Sequence, residues 1–288
     1  MTLRQALEGA ARQLASAGKD GNDGRGEAEL LLGRLVSATR AELYLRGDEP
    51  FDTGAARTLA AWILRRQAGE PLQYIVGEAA YRDLVLEVGP GVFIPRPETE
   101  LLVDETLAFL REREVPAPRL LEVGTGSGAI ALALAGERPD ATVVATELSP
   151  RALAFAARNR ARQPLAVASR VHLVHGDLAT ALKGPFDALV SNPPYIAESE
   201  RPELPRDVLD HEPHLALFAA REGMAVVARL IDDGARVVAP LGLLALELGS
   251  GQGDTALTLL AADPRWTAGR VQRDLAGRAR MLLARRAH

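Results

Sequence analysis

Four consecutive residues, Asn192-Pro193-Pro194-Tyr195, combine the groups that chemistry on a planar nitrogen requires. An NH2 group conjugated to a carbonyl or an aromatic ring has a delocalised lone pair and is a poor nucleophile. A site that alkylates it must hold both N–H bonds and aim the nitrogen at the incoming carbon. The side-chain oxygen of Asn192 supplies one acceptor. The backbone carbonyl of Pro193 supplies a second, and the proline rings restrict where it points. Tyr195 offers a flat surface on which a planar amide or base can stack. The methylated nitrogen becomes acidic and loses its proton easily, so no strong base is needed before attack. Positioning for in-line displacement supplies much of the rate. The tetrad therefore points to methyl transfer onto a planar nitrogen. It does not separate a glutamine amide from an adenine amine, and a stiff turn ending a strand is its non-catalytic reading.

A second constellation lies upstream, in LLEVGTGSGAIALALA (120–135). Gly124, Thr125, Gly126, Ser127 and Gly128 form a loop in which glycine permits positive φ and close approach of a ligand to the backbone. Glu147 follows 19 residues after Gly128, placed to take both hydroxyls of a ribose. The Gly-x-Gly-x-Gly spacing departs from the dinucleotide pattern G-x-G-x-x-G, and no Gly-Lys-Ser/Thr marks a P-loop. Glu122, just before the loop, would repel a pyrophosphate but suits a ligand carrying an ammonium and a sulfonium, such as S-adenosylmethionine. Asp177 can accept from an adenine amino group. Leu178 beside it offers a backbone N–H or an apolar wall. NAD is the alternative ligand, and a tight strand–helix turn with solvated acids is the reading without a ligand.

The elements that must carry these groups read as follows. From about Arg119 strands and helices alternate, which predicts a mostly parallel, doubly wound α/β sheet of Rossmann-like type. Expected strands are Leu120–Val123, Thr142–Thr146, Val171–Val174, Phe186–Val190, Leu243–Leu248 and Met281–Ala284. Expected helices lie near Ala129–Ala135, Pro150–Arg162, Gly223–Ala239 and Gly253–Ala262. The glycine loop then ends the first strand and the tetrad ends the fourth, beside the crevice where such sheets bind ligands. Residues 1–80 read as a small helical domain. Leu3, Leu7, Ala10, Ala11 and Leu14 share a face, and Thr2 with Gln5 fits a capping box. A second helix starts near Glu27, and a third covers Thr53 to Gln67. Residues 81–96 alternate around Gly89-Pro90-Gly91 and predict a β-hairpin linker. Residues 97–288 form the catalytic domain, entered by a helix from Glu98 to Leu110 with Pro97 in its first turn.

The 288 residues have a net charge of −4 and no cysteine. Disulfides, thiolate metal sites and cysteine nucleophiles are excluded. No apolar run is long enough for a membrane span, and nothing argues for export, so a cytoplasmic location is expected. Residues 1–85 hold 11 basic and 12 acidic residues, whereas the segment from Pro264 carries seven arginines against Asp274 alone. That basic tail reads as a solvated face, and nucleic acid is disfavoured as partner. His211 and His214 flank Glu212-Pro213 and read as a loop; no metal is expected. His172 and His175 read as structural, and Trp62 and Trp266 as packing residues. Ser127 and Ser149 have no base at motif spacing.

Several longer segments extend these motifs: EPLQYIVG (70–77), FIPRPETELLV (93–103), ELSPRAL (147–153), SNPPYI (191–196), EPHLALF (212–218), LELGSGQG (246–253) and DLAGR (274–278). With them the chain resembles the release-factor glutamine methyltransferases of the HemK/PrmC type over nearly its whole length. The resemblance implies a class I methyltransferase sheet joined by a hairpin to an N-terminal helical domain that grips the substrate. It implies S-adenosylmethionine as methyl donor and S-adenosylhomocysteine as product. The acceptor is the glutamine of the Gly-Gly-Gln loop in class I peptide chain release factors. Gly124 to Gly128, Glu147, Leu178 and Asn192 would line the cofactor site, and Asn192 to Tyr195 would hold the glutamine. The sequence departs from the family pattern at Glu122 and Glu147, where aspartate is common. It departs again at Leu178, aromatic in some members, and at Ala279, usually acidic. A nucleic-acid adenine methyltransferase with the same tetrad, and a binding module that keeps only the fold, are the competing readings.

Overall fold

The computed structural model describes residues 1–15, 24–274 and 276–288. Lys19 and Leu275, the latter inside the DLAGR segment, lie outside the described residues. The chain separates into two units, Met1–Glu78 with Pro205–His211, and Ala79–Leu204 with Glu212–His288.

The first unit is helical. Its helices are α1 (Leu3–Ala15), α2 (Arg25–Val36), α3 (Arg40–Leu45), α4 (Thr53–Gln67) and α5 (Leu72–Val76). The Thr2–Gln5 capping box forms: Gln5 N donates to Thr2 Oγ1 at 3.3 Å and Thr2 N to Gln5 Oε1 at 3.0 Å. Asp52 caps α4 by accepting from Ala55 N at 2.9 Å. The α1 stripe Leu3, Leu7, Ala10 and Leu14 is buried against Leu31, Leu32, Leu59 and Ile63. Trp62 packs at the margin of this core, as a packing residue would.

The second unit opens with a two-stranded hairpin, β1 (Glu78–Tyr81) and β2 (Leu84–Glu87). Its turn is Arg82-Asp83, with Arg82 at φ 50°, so it lies earlier than the expected reversal at Gly89-Pro90-Gly91. Those three residues belong to the irregular segment that follows. Alternation continues through both stretches, and both bury apolar residues, Tyr81 and Leu86 in one and Val88 and Val92 in the other, so periodicity alone does not locate the reversal.

After a short 3-10 turn at Pro97–Thr99 come α6 (Glu100–Glu112), β3 (Arg119–Val123), α7 (Ala129–Glu137), β4 (Thr142–Glu147) and α8 (Pro150–Ala161). The chain continues through α9 (Leu165–Ala168), β5 (Val171–His175), β6 (Phe186–Ser191), α10 (Arg206–His211) and α11 (His214–Leu217). It finishes with α12 (Ala225–Val237), β7 (Val238–Glu247), α13 (Gly253–Ala261), β8 (Trp266–Arg273) and β9 (Ala279–Arg286). α10 groups with the helical unit.

Among the described residues the sheet has seven strands in the order β5-β4-β3-β6-β7-β9-β8. Strands β5 to β7 run parallel and β9 and β8 antiparallel to their neighbours. Both faces are covered, which explains the continuous apolar runs. Leu120, Val143 and Ala188 pack against α6 and α7 on one face; Leu121, Leu189 and Leu244 pack against α12 and α13 on the other. The sequence missed β8, because arginines and glycine interrupt its alternation. The expected basic tail is thus two strands of the sheet. Among its arginines, Arg265 pairs with Asp232 and Asp263 at 2.6 Å, Arg270 with Glu105 at 2.8 Å, and Arg280 with Asp274 at 3.0 Å. Trp266 is buried and donates from Nε1 to Ile231 O at 3.0 Å. No helix among the described residues is long and apolar enough to cross a membrane.

Candidate active site

The register aligns Val123 with both Thr146 and Ser191, so the parallel strands end level. β4 and β5 lie on one side of β3 and β6 on the other, so the strand order reverses between β3 and β6. The loops leaving these strands converge on one cavity of about 350 Å³. That lies within the range of roughly 300–1,000 Å³ typical of small-molecule clefts. Glu122, Gly124, Thr125, Gly126, Ser127, Glu147, Asp177, Leu178, Asn192 and Pro194 line it. Gly128, Pro193 and Tyr195 do not.

The glycine loop is shaped by backbone bonds. Gly124 N and Thr125 N both donate to Thr146 O at 2.9 Å. Gly124, Gly126 and Gly128 adopt φ of 75°, 55° and 88°, a region costly for other residues. A Cβ on Gly124 or Gly126 would meet no atom within 4 Å, so the space above the loop is open to a ligand. Asn159 of α8, fully buried, donates from Nδ2 to Ser127 O at 2.9 Å and to Glu87 O at 3.0 Å. Its Oδ1 accepts from Glu87 N at 2.6 Å. One α8 side chain therefore ties the hairpin to the glycine loop.

Two acids of the loop region are buried. Glu122 Oε2 accepts from Thr125 Oγ1 at 2.6 Å and from Ala131 N at 3.0 Å, bracing the loop and the start of α7. Burial pushes its carboxyl up to about 7, with the Glu147 charge adding to the rise; the two hydrogen bonds oppose it. Glu147 Oε2 accepts from Gly126 N and Oε1 from Ser149 N, both at 2.8 Å. Ser149 also caps α8, accepting from Ala152 N at 3.2 Å, which is a structural use of that hydroxyl. Asp177 behaves differently from a free acceptor: its Oδ2 pairs with Arg229 of α12 at 2.6 Å. Leu178 sits in the left-handed region at φ 49°.

Around the tetrad the structure adds residues that sequence reasoning gave no role. Ser191 Oγ donates to Val123 O at 2.7 Å, joining the ends of β6 and β3. Asn192 Nδ2 donates to Thr99 Oγ1 at 3.0 Å. Thr99 Oγ1 donates to Glu247 Oε2 at 2.7 Å, and Tyr195 OH donates to Glu247 Oε1 at 3.2 Å. Thr99 and Glu247 are both 4% exposed. Burial pushes the Glu247 carboxyl up to about 7 against the pull of these two hydrogen bonds. Burial and the nearby Glu247 charge push the Tyr195 phenol up as well. Tyr195 is held by its hydroxyl and is not among the residues that line the cavity. Gln252 Nε2 clamps Tyr195 O at 2.6 Å. Gly223, at φ 78°, packs so close that a Cβ there would lie 1.9 Å from Tyr195 O.

The remaining wall comes from segments whose order in the sequence suggested no contact. Phe93, Pro95 and Thr99 of FIPRPET face Pro213, Leu215, Ala216 and Phe218 of EPHLALF around the cavity. Buried Glu212 accepts from Ile94 N at 3.1 Å and pairs with Arg96. Ile196 N donates to Leu217 O at 3.0 Å and Ala219 N to Ile196 O at 2.9 Å, joining the tetrad to the same segment. His211 ends α10, and His214 starts α11 directly after Pro213, so helices stand where a loop was expected. A proline ahead of a first helical turn lacks only an N–H that would have no partner in the helix. His214 packs edge-on against Phe218. The described residues contain no group of three or more His, Asp or Glu placed to hold a metal ion.

Comparison with known proteins gives this arrangement a family. Residues 5–77 match the model of the PrmC N-terminal domain, and residues 97–212 that of the methyltransferase small domain. The release factor glutamine methyltransferase of Moorella thermoacetica is 44% identical over 287 residues, covering 99% of each chain. That of Gloeobacter violaceus is 39% identical over 98% of this chain and 97% of its own. A methyltransferase crystal structure from Pyrococcus furiosus superposes with a TM-score of 0.52 at 19% identity, covering 80% of this chain and 98% of that one, a likeness of fold. With full-length identity at this level, the chain belongs to the release factor glutamine methyltransferase family.

Proposed function

We propose that this protein methylates the side-chain amide nitrogen of the Gly-Gly-Gln glutamine in class I peptide chain release factors. It would do so in the cytoplasm, with residues 97–288 performing the transfer, 81–96 linking, and 1–80 recognising the release factor. The observation that carries this reading is the setting of Asn192. Its Nδ2 is committed to Thr99 at the cavity wall, so the amide oxygen is the end left to accept from a substrate N–H.

S-adenosylmethionine fits the cavity by the chemistry of its lining. When bound, it supplies a methyl carbon activated by an adjacent sulfonium. Glu147 keeps a second lone pair on each oxygen for the two ribose hydroxyls, beyond the bonds from Gly126 and Ser149. Glu122 places a buried carboxylate beneath the loop, complementary to a cation. Leu178, Val226 and Phe218 give the apolar surface a purine needs, with Asp177 and the Leu178 backbone at its edge. Asn192 Oδ1 and the Pro193 carbonyl would hold the two N–H bonds of the acceptor amide. Pro194 forms the wall beside it, and Tyr195, pinned through its hydroxyl and its carbonyl, keeps the tetrad backbone in place. The glycine residues 124, 126 and 128, with Thr125 and Ser127, present the backbone along which the cofactor lies.

The test uses the intact protein, labelled S-adenosylmethionine and an unmodified release factor, with RNA and DNA in parallel reactions. Label is expected on the glutamine of the Gly-Gly-Gln loop. Label on nucleic acid and none on the release factor would overturn the reading in favour of an adenine methyltransferase. Asn192→Ala is expected to abolish turnover while cofactor binding persists in weakened form. Near-normal turnover in that variant would remove the assigned role.

A further inference from the structure

A buried carboxylate lies behind the tetrad, and the proposed chemistry above gives it no task. Glu247 ends β7 and is enclosed by β9, the 3-10 turn at 97–99 and the tetrad. It spends both oxygens on donors: Thr99 Oγ1 on Oε2 and Tyr195 OH on Oε1. A hydroxyl has one proton. With that proton given to Glu247, Thr99 can only accept from Asn192, and the atom of Asn192 that faces it must be Nδ2. The amide is planar, so Oδ1 is then the end turned away from Thr99.

We propose that Glu247, as a carboxylate, is a positioning residue for methyl transfer: through the Thr99 hydroxyl it dictates which end of the Asn192 amide meets the substrate. This rests on the reading of Asn192 as acceptor for the glutamine N–H. Protonating Glu247 adds a proton that needs an acceptor of its own, and the hydroxyls in contact with the carboxyl are those of Thr99 and Tyr195. A hydroxyl that accepts it turns its own proton elsewhere. If Thr99 turns its proton to Asn192, Oδ1 becomes the favoured partner and Nδ2 faces the cavity, a donor set against the donor of the substrate.

The groups around Glu247 come from every neighbouring element. Glu98 on the 3-10 turn disfavours its charge and Arg280 on β9 favours it; Tyr195 and Thr99 donate to it; Tyr81 of β1 lies within electrostatic reach. Burial outweighs the favourable contacts and brings its titration to near neutral pH. Glu122 titrates in the same window. It lies beneath the cofactor loop, so its effect falls on cofactor affinity, whereas Glu247 acts on kcat with cofactor saturating.

The experiment measures kcat against pH on the intact protein, with cofactor and release factor saturating. Wild type is expected to gain about tenfold per pH unit up to a plateau. Glu247→Gln should lose that limb and run at a flat rate about 10–100-fold below the plateau, the scale of an acceptor group misplaced by about an ångström. Its KM for the cofactor should stay unchanged. Thr99→Val should give the same loss, and Thr99→Ser, which keeps the hydroxyl, should restore kcat. The side-chain 15N amide signal of Asn192 should titrate with pH in wild type and stay fixed in Glu247→Gln. A Glu247→Gln variant that keeps the limb or the full rate overturns the proposal. So does a wild-type Asn192 signal that does not move with pH, which decides the matter even if the variant fails to fold. Failure of the glutamine reading looks different: wild type leaves the release factor unmethylated while the Asn192 signal still titrates.

Discussion

Replacing Asn159 with aspartate changes one heavy atom and isolates what holds the glycine loop. Asn159 is fully buried and makes three bonds, donating to Ser127 O and Glu87 O and accepting from Glu87 N. A protonated aspartic acid keeps the acceptor and one donor, so one buried carbonyl loses its partner. That costs about 1–3 kcal/mol. Ionisation costs more, because the carboxylate then faces two carbonyl oxygens out of water. A buried carboxyl in such a place is raised by about 3 pH units, and each unit is about 1.4 kcal/mol. The folded-state value then lies above the unfolded one near 3.9, so stability is lost as pH rises between the two. The Asn159→Asp defect should therefore be about 2 kcal/mol near pH 4 and grow to roughly 5–6 kcal/mol by about pH 8. Urea unfolding of variant and wild type, followed by circular dichroism at several pH values, measures the difference directly. Cofactor affinity should fall in parallel, since Ser127 belongs to the loop. A gap below about 1 kcal/mol and constant with pH would refute the reasoning that these bonds carry the loop.

Two other predictions concern the cavity walls. Glu122 and Glu247 are both raised to about 7 by burial. A raised carboxyl contributes stability that is full below its unfolded value and lost as pH rises through its folded value. Thermal unfolding should thus shift to lower temperature as pH rises from about 4.3 to about 7 and level off above that, and Glu122→Gln or Glu247→Gln should flatten that dependence. Gly223→Ala places a Cβ 1.9 Å from Tyr195 O at a residue with φ of 78°. The left-handed backbone alone costs about 1–2 kcal/mol. The clash must move the tetrad, so kcat should fall by more than about tenfold, and an unchanged kcat would show that the tetrad backbone tolerates displacement.

The parallel sheet and its loops were legible because each signal was local. Val-, Leu- and Ala-rich runs marked β3, β4 and β6, and the glycine spacing and Asn-Pro-Pro-Tyr marked the turns that leave β3 and β6. The segments FIPRPET and EPHLALF carried part of the family resemblance, but nothing in their spacing said that Glu212 would hold Ile94 and Arg96. Such contacts join residues more than a hundred positions apart, and periodicity carries no information at that range. Thr99 and Glu247 were silent for the same reason: each is an ordinary residue at an element end, and only the meeting of three segments makes them a unit. Strand β8 was hidden because its side chains are mostly exposed, which leaves no apolar alternation to read. Asp177 shows the reverse case, where an acid read from the sequence as an acceptor has a partner, Arg229, from a helix whose place at the cavity the sequence did not show.

The bond from Ser191 to the Val123 carbonyl has a consequence for how the protein reaches its native state. It spans 68 positions, and it closes only when β6 lies against β3. The glycine loop and the tetrad are therefore separated in space by one inter-strand step, whatever the length of chain between them. Insertions at exposed turns between α8 and β6 should leave that step unchanged, since loop length adds little to the entropy of closure. The same arrangement makes the contacts of the site among the most non-local in the fold, which slows their formation. A chain arrested before β3 and β6 pair can hold well-formed helices and still lack a site. Recovery of activity on refolding should then track completion of the central sheet rather than the early rise of helical signal.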